Sequence, residues 1–298
     1  MTRLAERQCD VVRRCELRAA GLTSDKIRSM LESGRWAPLG EVVVALHNGP
    51  LDRRQQTWAA VLGSGNDARL DGLTALEVFG LRNWSDPGVH ILVPRAKGVS
   101  ELPGVRRVLH ESRRPPQQSR LRSGFPPLVT VERATIDAAS GMTSVRSCCG
   151  LLAAVVQQRL TTASRLLAEL EDAGPIRRRR AIRLTLADIE GGAQALSEID
   201  FGSLARRNKL GTVVRQVVRL DGTGRRRYLD GEIVGPTGIR RAFEIDGAVH
   251  MLAQEHWKDL ERQNELLIAG DFPLRFSTYA MRFEEALVVD QTRRALGG

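Results

Sequence analysis

Lysine is scarce in this chain: Lys26, Lys97, Lys209 and Lys258 are four of its 45 cationic residues, and the rest are arginine. Cysteine is equally sparse. Cys9, Cys15, Cys148 and Cys149 form no CxxC pair and two of them are adjacent, which argues against a zinc knuckle and a disulfide framework and predicts reduced thiols. Long apolar runs are missing as well. The longest, Cys148 to Val156, falls far short of the roughly twenty residues that a membrane-spanning helix needs, so no membrane span is expected. The opening MTRLAERQCDVVRR is charged from its third residue with no apolar segment behind it, which predicts no secretory signal and a cytoplasmic location.

What is present is a 298-residue chain, 42% hydrophobic and 27% charged, long enough for two or three domains with real cores. Its net charge of +10 is unevenly spread. Residues 106–122 carry +5 and residues 176–227 carry +8, and the second stretch leads into an acidic segment, 228–298, at −4. A basic stripe of this kind fits a polyanion partner, because each phosphate it neutralises releases a counterion. A solvated surface is the plainer alternative.

The reading is of a mixed α/β (α+β) chain in three parts: 1–50, 51–175 and 176–298. Residues 4–9, 13–20 and 25–33 have helical spacing; Gly21 ends the second helix, and Thr23 or Ser24 caps the third. A short strand, turn and β-branched strand follow over Arg35–Leu46. Three helices and a two-stranded wing make a winged helix-turn-helix, whose third helix enters the major groove of DNA. Ser24, Lys26, Arg28 and Ser29 then face DNA, with Arg35 at the base of the wing. A small helical packing module is the alternative.

The middle part reads as an α/β domain. It has helices over 55–62, 72–79, 132–139 and 151–170, and strands over 89–93 and 104–110. Residues 113–127 read as an exposed loop able to contact phosphate. His47, His90 and His110 fall in unrelated segments without metal-ligand spacing and are read as structural.

After Gly174-Pro175 the pattern sharpens. A helix is expected over 194–207, then three strands over 212–220, 225–234 and 239–246. They are separated by Asp221-Gly222-Thr223-Gly224 and Gly235-Pro236-Thr237-Gly238, which makes an antiparallel meander. A helix over 254–269, a strand over 273–277 and a last helix complete an αβββαβα unit.

Alternation puts Glu244 and Asp246 on one face of the third strand and Asp230 and Glu232 on one face of the second, and the short turn brings Asp230 beside Glu244 and Asp246. Acids gathered in central strands are costly unless a cation joins them. Mg²⁺ is the natural partner, because it takes a few carboxylate oxygens and keeps waters for a phosphate ester and an attacking nucleophile. Acids paired with arginines in a decayed site are the alternative.

These residues also carry a family resemblance. Leu196-Ser197-Glu198, Tyr228-Leu229-Asp230, Glu244-Ile245-Asp246-Gly247 with His250, Asp259-Leu260-Glu261-Arg262 and Leu274-Arg275-Phe276 resemble an uncharacterised bacterial nuclease-fold family. That family is related to very short patch repair endonucleases and belongs to the PD-(D/E)XK superfamily. The resemblance spans about 176–298 and implies a restriction-endonuclease-like fold. Gly21-Leu22-Thr23-Ser24, Ile27, Ser33-Gly34-Arg35 and Val42–Leu46 resemble the N-terminal domain of AbiEi-type antitoxins of type IV toxin–antitoxin systems. Val131–Asp137 resembles the segment that links such domains to the nuclease-like module.

The resemblance implies that Asp230 and Glu244 hold Mg²⁺ or Mn²⁺, while Asp246 stands where the superfamily usually has its lysine. It implies that His250 orients or deprotonates water, Glu198 is an auxiliary acid, and Arg262 and Arg275 stabilise phosphate charge, with Arg275 also contacting DNA. Lys258 is read as a solvated partner of Glu261 and Glu265. The function expected is hydrolysis of DNA phosphodiesters by metal-activated water. The alternatives are an antitoxin-like autorepressor with a degenerate nuclease fold, which would have a cognate toxin and form a homodimer, and a scaffold for an acidic protein.

Overall fold

The computed structural model describes residues 2–95, 101–112, 124–191, 194–220, 224–246 and 273–297. It is a mixture of helix and sheet that divides into two compact units. The first is Met1–Gly141 with Gln158–Arg177, and the second is Met142–Gln157 with Arg178–Gly298. Among the described residues no helix is long and apolar enough to cross a membrane.

The first unit begins with α1 (Thr2–Arg7), β1 (Val11–Arg13), α2 (Arg14–Ala19), α3 (Ser24–Glu32), β2 (Ala37–Leu39) and β3 (Val43–Ala45). The three strands form an antiparallel sheet in the order β1-β3-β2. Local chemistry sets the helix starts. Glu16 Oε2 accepts the Arg13 N–H at 2.8 Å at the head of α2, and Thr23 Oγ1 accepts the Lys26 N–H at 3.2 Å at the head of α3. Thr23, of the two candidates, is thus the cap. Val12, Leu17, Ile27, Trp36 and Val44 close the core beneath.

β1 falls in the gap that the sequence leaves between its expected helices over 4–9 and 13–20, taking in the first residue of the second. Cys9 and Asp10 take left-handed φ values of 54° and 61° and turn the chain out of α1. Val11 and Val12 then bury against β3. Three residues are too short to show a period, and only pairing with distant residues makes them a strand.

The same unit continues with α4 (Arg53–Ser64), β4 (Arg69–Leu70), α5 (Gly72–Phe79), β5 (Val89–Pro94), β6 (Arg107–Ser112), α6 (Val131–Gly141) and, after a segment that belongs to the second unit, α8 (Ala163–Asp172). The sheet order is β4-β5-β6, with β5 and β6 parallel. A reciprocal cap starts α4: Asp52 Oδ1 accepts from Gln55 N at 2.8 Å and Gln55 Oε1 from Asp52 N at 3.0 Å.

The single helix expected over 151–170 is two helices, α7 (Val145–Gln157) and α8. Arg159 adopts a left-handed φ of 58°, and Thr162 caps α8 by accepting the Arg165 N–H at 3.3 Å. The helix α7 packs in the second unit, where Cys148 and Cys149 are buried. Burial pushes the Cys148 thiol up to about 12, so it is an inert apolar group. All four cysteines are free thiols.

In the second unit α9 (Arg179–Gly191) precedes α10 (Gln194–Arg207). The sequence reading treats this region as a basic run. Ala181, Ile182, Thr185 and Leu186 are nevertheless buried at helical spacing, with the arginines interleaved on the other faces.

β7 (Thr212–Leu220), β8 (Arg226–Val234) and β9 (Arg240–Asp246) form the expected antiparallel meander, and β10 (Leu274–Ser277) lies parallel to β9. The order is β10-β9-β8-β7. α11 (Thr278–Phe283) and α12 (Glu285–Ala295) follow. One face of the sheet packs Ile233, Phe243, Ile245 and Phe276 against Phe201, Leu204, Val288 and Leu296, and the Phe201 and Phe243 rings are 4.2 Å apart at their centroids. Gly231 lies against the Phe243 ring, where a Cβ would come within 2.5 Å of it.

Candidate functional site

The acidic constellation is built where β8 and β9 separate. Their paired register ends at Gly231 and Phe243. One residue further on, the Asp230 carboxylate takes the place of a ladder carbonyl: its Oδ2 accepts the Ile245 N–H at 2.7 Å. Asp230 is thereby fixed beside the backbone of Glu244 and Asp246, as the sequence predicts. Past this point β9 pairs with β10, matching Glu244 to Arg275 and Asp246 to Ser277.

A second irregularity sharpens the fork. Gln216 on β7 has a left-handed φ of 50° and drops out of the otherwise regular register between Arg215/Gly231 and Val217/Leu229. Its missing partner is Asp230. The kink turns Val217 and Leu229 onto the face of Ala242, where the three pack together. Asp230 and Glu232, which simple alternation places side by side, therefore have different partners. Glu232 is buried and held by Arg219, with Arg240 Nη1 at 3.1 Å from its other oxygen.

Glu244 is also buried, and Arg275 Nε lies 3.3 Å from its Oε2. The arginine read as a phosphate contact thus stands beside the candidate metal ligand. Glu198 lies on α10 and Asp246 at the end of β9, but the side chains of both are outside the described residues, and His250 and Arg262 lie outside them altogether. Among the described residues no group of three or more His, Cys, Asp or Glu is arranged to hold a metal ion. The donor set there suits a hard cation in part. The Asp230 carboxylate keeps an oxygen beyond the one bound to Ile245, and Glu244 is a buried carboxylate beside a cation.

In the first unit, Ser24, Lys26, Arg28, Ser29 and Arg35 are all exposed, whereas Ile27 is the buried residue of α3. Arg28 Nη1 is 3.4 Å from Asp25 Oδ1, a solvated pair one turn apart. The helix therefore presents its polar faces to solvent.

Sequence reasoning missed a buried polar chain in this unit. His90 on β5 and His110 on β6 are neighbours across parallel strands, with Nδ1 of His90 3.2 Å from Nε2 of His110. Asp71 Oδ2 is 3.1 Å from His110 Nδ1, and Asp86 Oδ2 is 3.5 Å from His90 Nε2. Burial opposes charge on His110, but the Asp71 hydrogen bond and charge outweigh it and raise the pKa. Burial and the neighbouring His110 lower that of His90. The two rings thus lie between two carboxylates, His110 against Asp71 and His90 against Asp86, while Asp71 Oδ1 is buried with no hydrogen-bond partner among the described residues. Next to it, burial and then Asp71 push Asp137 up to about 6 against its Arg133 partner. Nothing local joins residues 90 and 110; strand pairing alone does so.

No protein-family model matches the chain, and no curated protein matches it in sequence.

Proposed function

We propose that the chain is a DNA-binding protein with a metal-dependent endonuclease-like site in its second unit. The observation that carries this reading is the hydrogen bond from Ile245 N–H to the Asp230 carboxylate where β8 and β9 part, beside Glu244. The order α10, β7–β9, β10 and two closing helices agrees with the restriction-endonuclease-like fold that the family resemblance implies. The order α1-β1-α2-α3-β2-β3, with its β1-β3-β2 sheet, agrees with a winged helix-turn-helix. In that reading Ser24, Lys26, Arg28 and Ser29 meet the major groove, and Arg35 sits at the root of the β2–β3 wing.

Asp230, Glu244 and Asp246 would hold Mg²⁺ or Mn²⁺, which when bound supplies Lewis acidity and a more acidic water. The protein's own work is positional. Ile245 N–H fixes the orientation of Asp230, and the β9–β10 pairing fixes Glu244 against Arg275. Arg275 is then placed to balance negative charge on a phosphate held against Glu244. Hydrolysis would form one P–O bond from water and break one to the leaving sugar oxygen, the water's proton ending on that oxygen. Arginines 215, 225, 226 and 227 on the β7–β8 hairpin supply cations for the DNA backbone.

A second reading, a non-catalytic antitoxin-like regulator with a cognate toxin, is favoured by the Arg275–Glu244 pair, which compensates the buried acid without a metal. Calorimetric titration with Mn²⁺ separates the two. The nuclease reading expects saturable binding that Asp230→Asn weakens at least tenfold, and the regulator reading expects none.

A further inference from the structure

We propose that a cavity of about 550 Å³ in the first unit is a binding site for a small aromatic carboxylic acid. The volume falls within the roughly 300–1,000 Å³ of small-molecule sites. The walls are apolar where Trp58 and Leu62 of α4 and Phe125 face it, and polar where Arg7, Gln8 and Arg13 do.

Trp58 is 9% exposed, and its Nε1 donates to the Gly124 carbonyl at 3.3 Å, so its indole N–H is already satisfied and its ring serves as an apolar wall. Phe125 has Arg54 Cζ 4.7 Å from its centroid, which orients the ring. An aromatic body suits these walls.

The polar side selects the rest. Gln8 is 7% exposed; its Nε2 donates to Glu16 Oε1 at 3.3 Å, which sets the orientation of the amide. Its Oε1 is buried away from water, so Gln8 contributes a fixed part of the wall and no ligand contact. Arg13 is held in place by Nε donating to the Leu62 carbonyl at 2.8 Å and Nη1 donating to Asn66 Oδ1, which leaves Nη2 for an anion. Arg7 adds a second, exposed cation to the lining. Two guanidinium groups beside an apolar cleft fit a carboxylate on an aromatic ring. The proposal stands whether or not α3 binds DNA.

Calorimetry on the full chain with benzoate, indole-3-carboxylate, phenol and indole tests it, with Arg7→Ala as the variant. Arg7 is exposed, so its removal leaves the fold intact. The expected result is saturable binding of the acids, with phenol and indole about tenfold weaker. Arg7→Ala should cost the acids about tenfold and leave the neutral compounds unchanged. Absence of saturable binding at millimolar acid, equal affinity for acids and neutral compounds, or acids undiminished by Arg7→Ala would each overturn it.

Discussion

Arg275 Nε lies 3.3 Å from Glu244 Oε2 on paired parallel strands, so the buried acid at the candidate metal site has a protein cation beside it. Removing one partner of a buried pair costs about 3–5 kcal/mol, because the other is left uncompensated. Arg275→Met should therefore destabilise the second unit by that order in urea denaturation. On the nuclease reading, Mn²⁺ should restore more stability to Arg275→Met than it adds to the native chain, since it takes over the missing positive charge.

Gly231 tests the packing that positions the fork. A Cβ there would meet the Phe243 ring at 2.5 Å and the Val214 carbonyl at 2.6 Å, and backbone cannot yield as a flexible side chain can. Gly231→Ala should cost about 1–3 kcal/mol as overpacking and lower the melting temperature. An unchanged melting temperature would mean that β8 and the Phe243 ring are not this close.

The histidine chain predicts a pH dependence with a definite sign. His110 has a raised folded-state pKa, so its contribution is fully present below the ordinary histidine value near 6.5 and is lost as pH rises through the folded value. His90 is lowered, so its contribution is lost as pH falls below about 6.5. Asp137, raised to about 6, makes folding less favourable as pH climbs from the ordinary aspartate value towards 6. Imidazole NMR titration should place His110 above and His90 below the free value, and Asp71→Asn should bring His110 down. A His110 that titrates below 6.5 in the native chain would contradict its pairing with Asp71.

For the DNA face, Lys26→Ala and Arg28→Ala should each weaken duplex binding. Where the lost contact is to a phosphate, the slope of log affinity against log salt should fall by about one. Fluorescence anisotropy from low to moderate salt reads both effects. Variants with unaltered affinity and slope would place DNA elsewhere.

The sequence is most readable where its signals are local. The β7–β9 meander follows from β-branched stretches cut by Asp221-Gly222 and Gly235-Pro236, and the α3 cap from Thr23 just before an apolar period. It is least readable where distant pairing decides. β1 is three residues long and exists through β3, α9 hides its buried stripe among arginines, and His90 meets His110 only because β5 and β6 pair. The same holds within the site. The neighbourhood of Asp230 and Glu244 can be read from alternation and a short turn. The left-handed Gln216, which separates Asp230 from Glu232, and the pairing of Arg275 with Glu244 have no signature along the chain.

Cleavage of supercoiled plasmid in Mg²⁺ or Mn²⁺ tests the central claim most directly, with EDTA, Asp230→Ala and Glu244→Ala alongside the native chain and duplex binding measured on each. The account predicts nicking or linearisation that is lost with EDTA and in both variants while DNA binding persists. Salt-sensitive binding without cleavage on plasmid, mismatched and single-stranded DNA would contradict it and leave the acids as charges balanced by arginine.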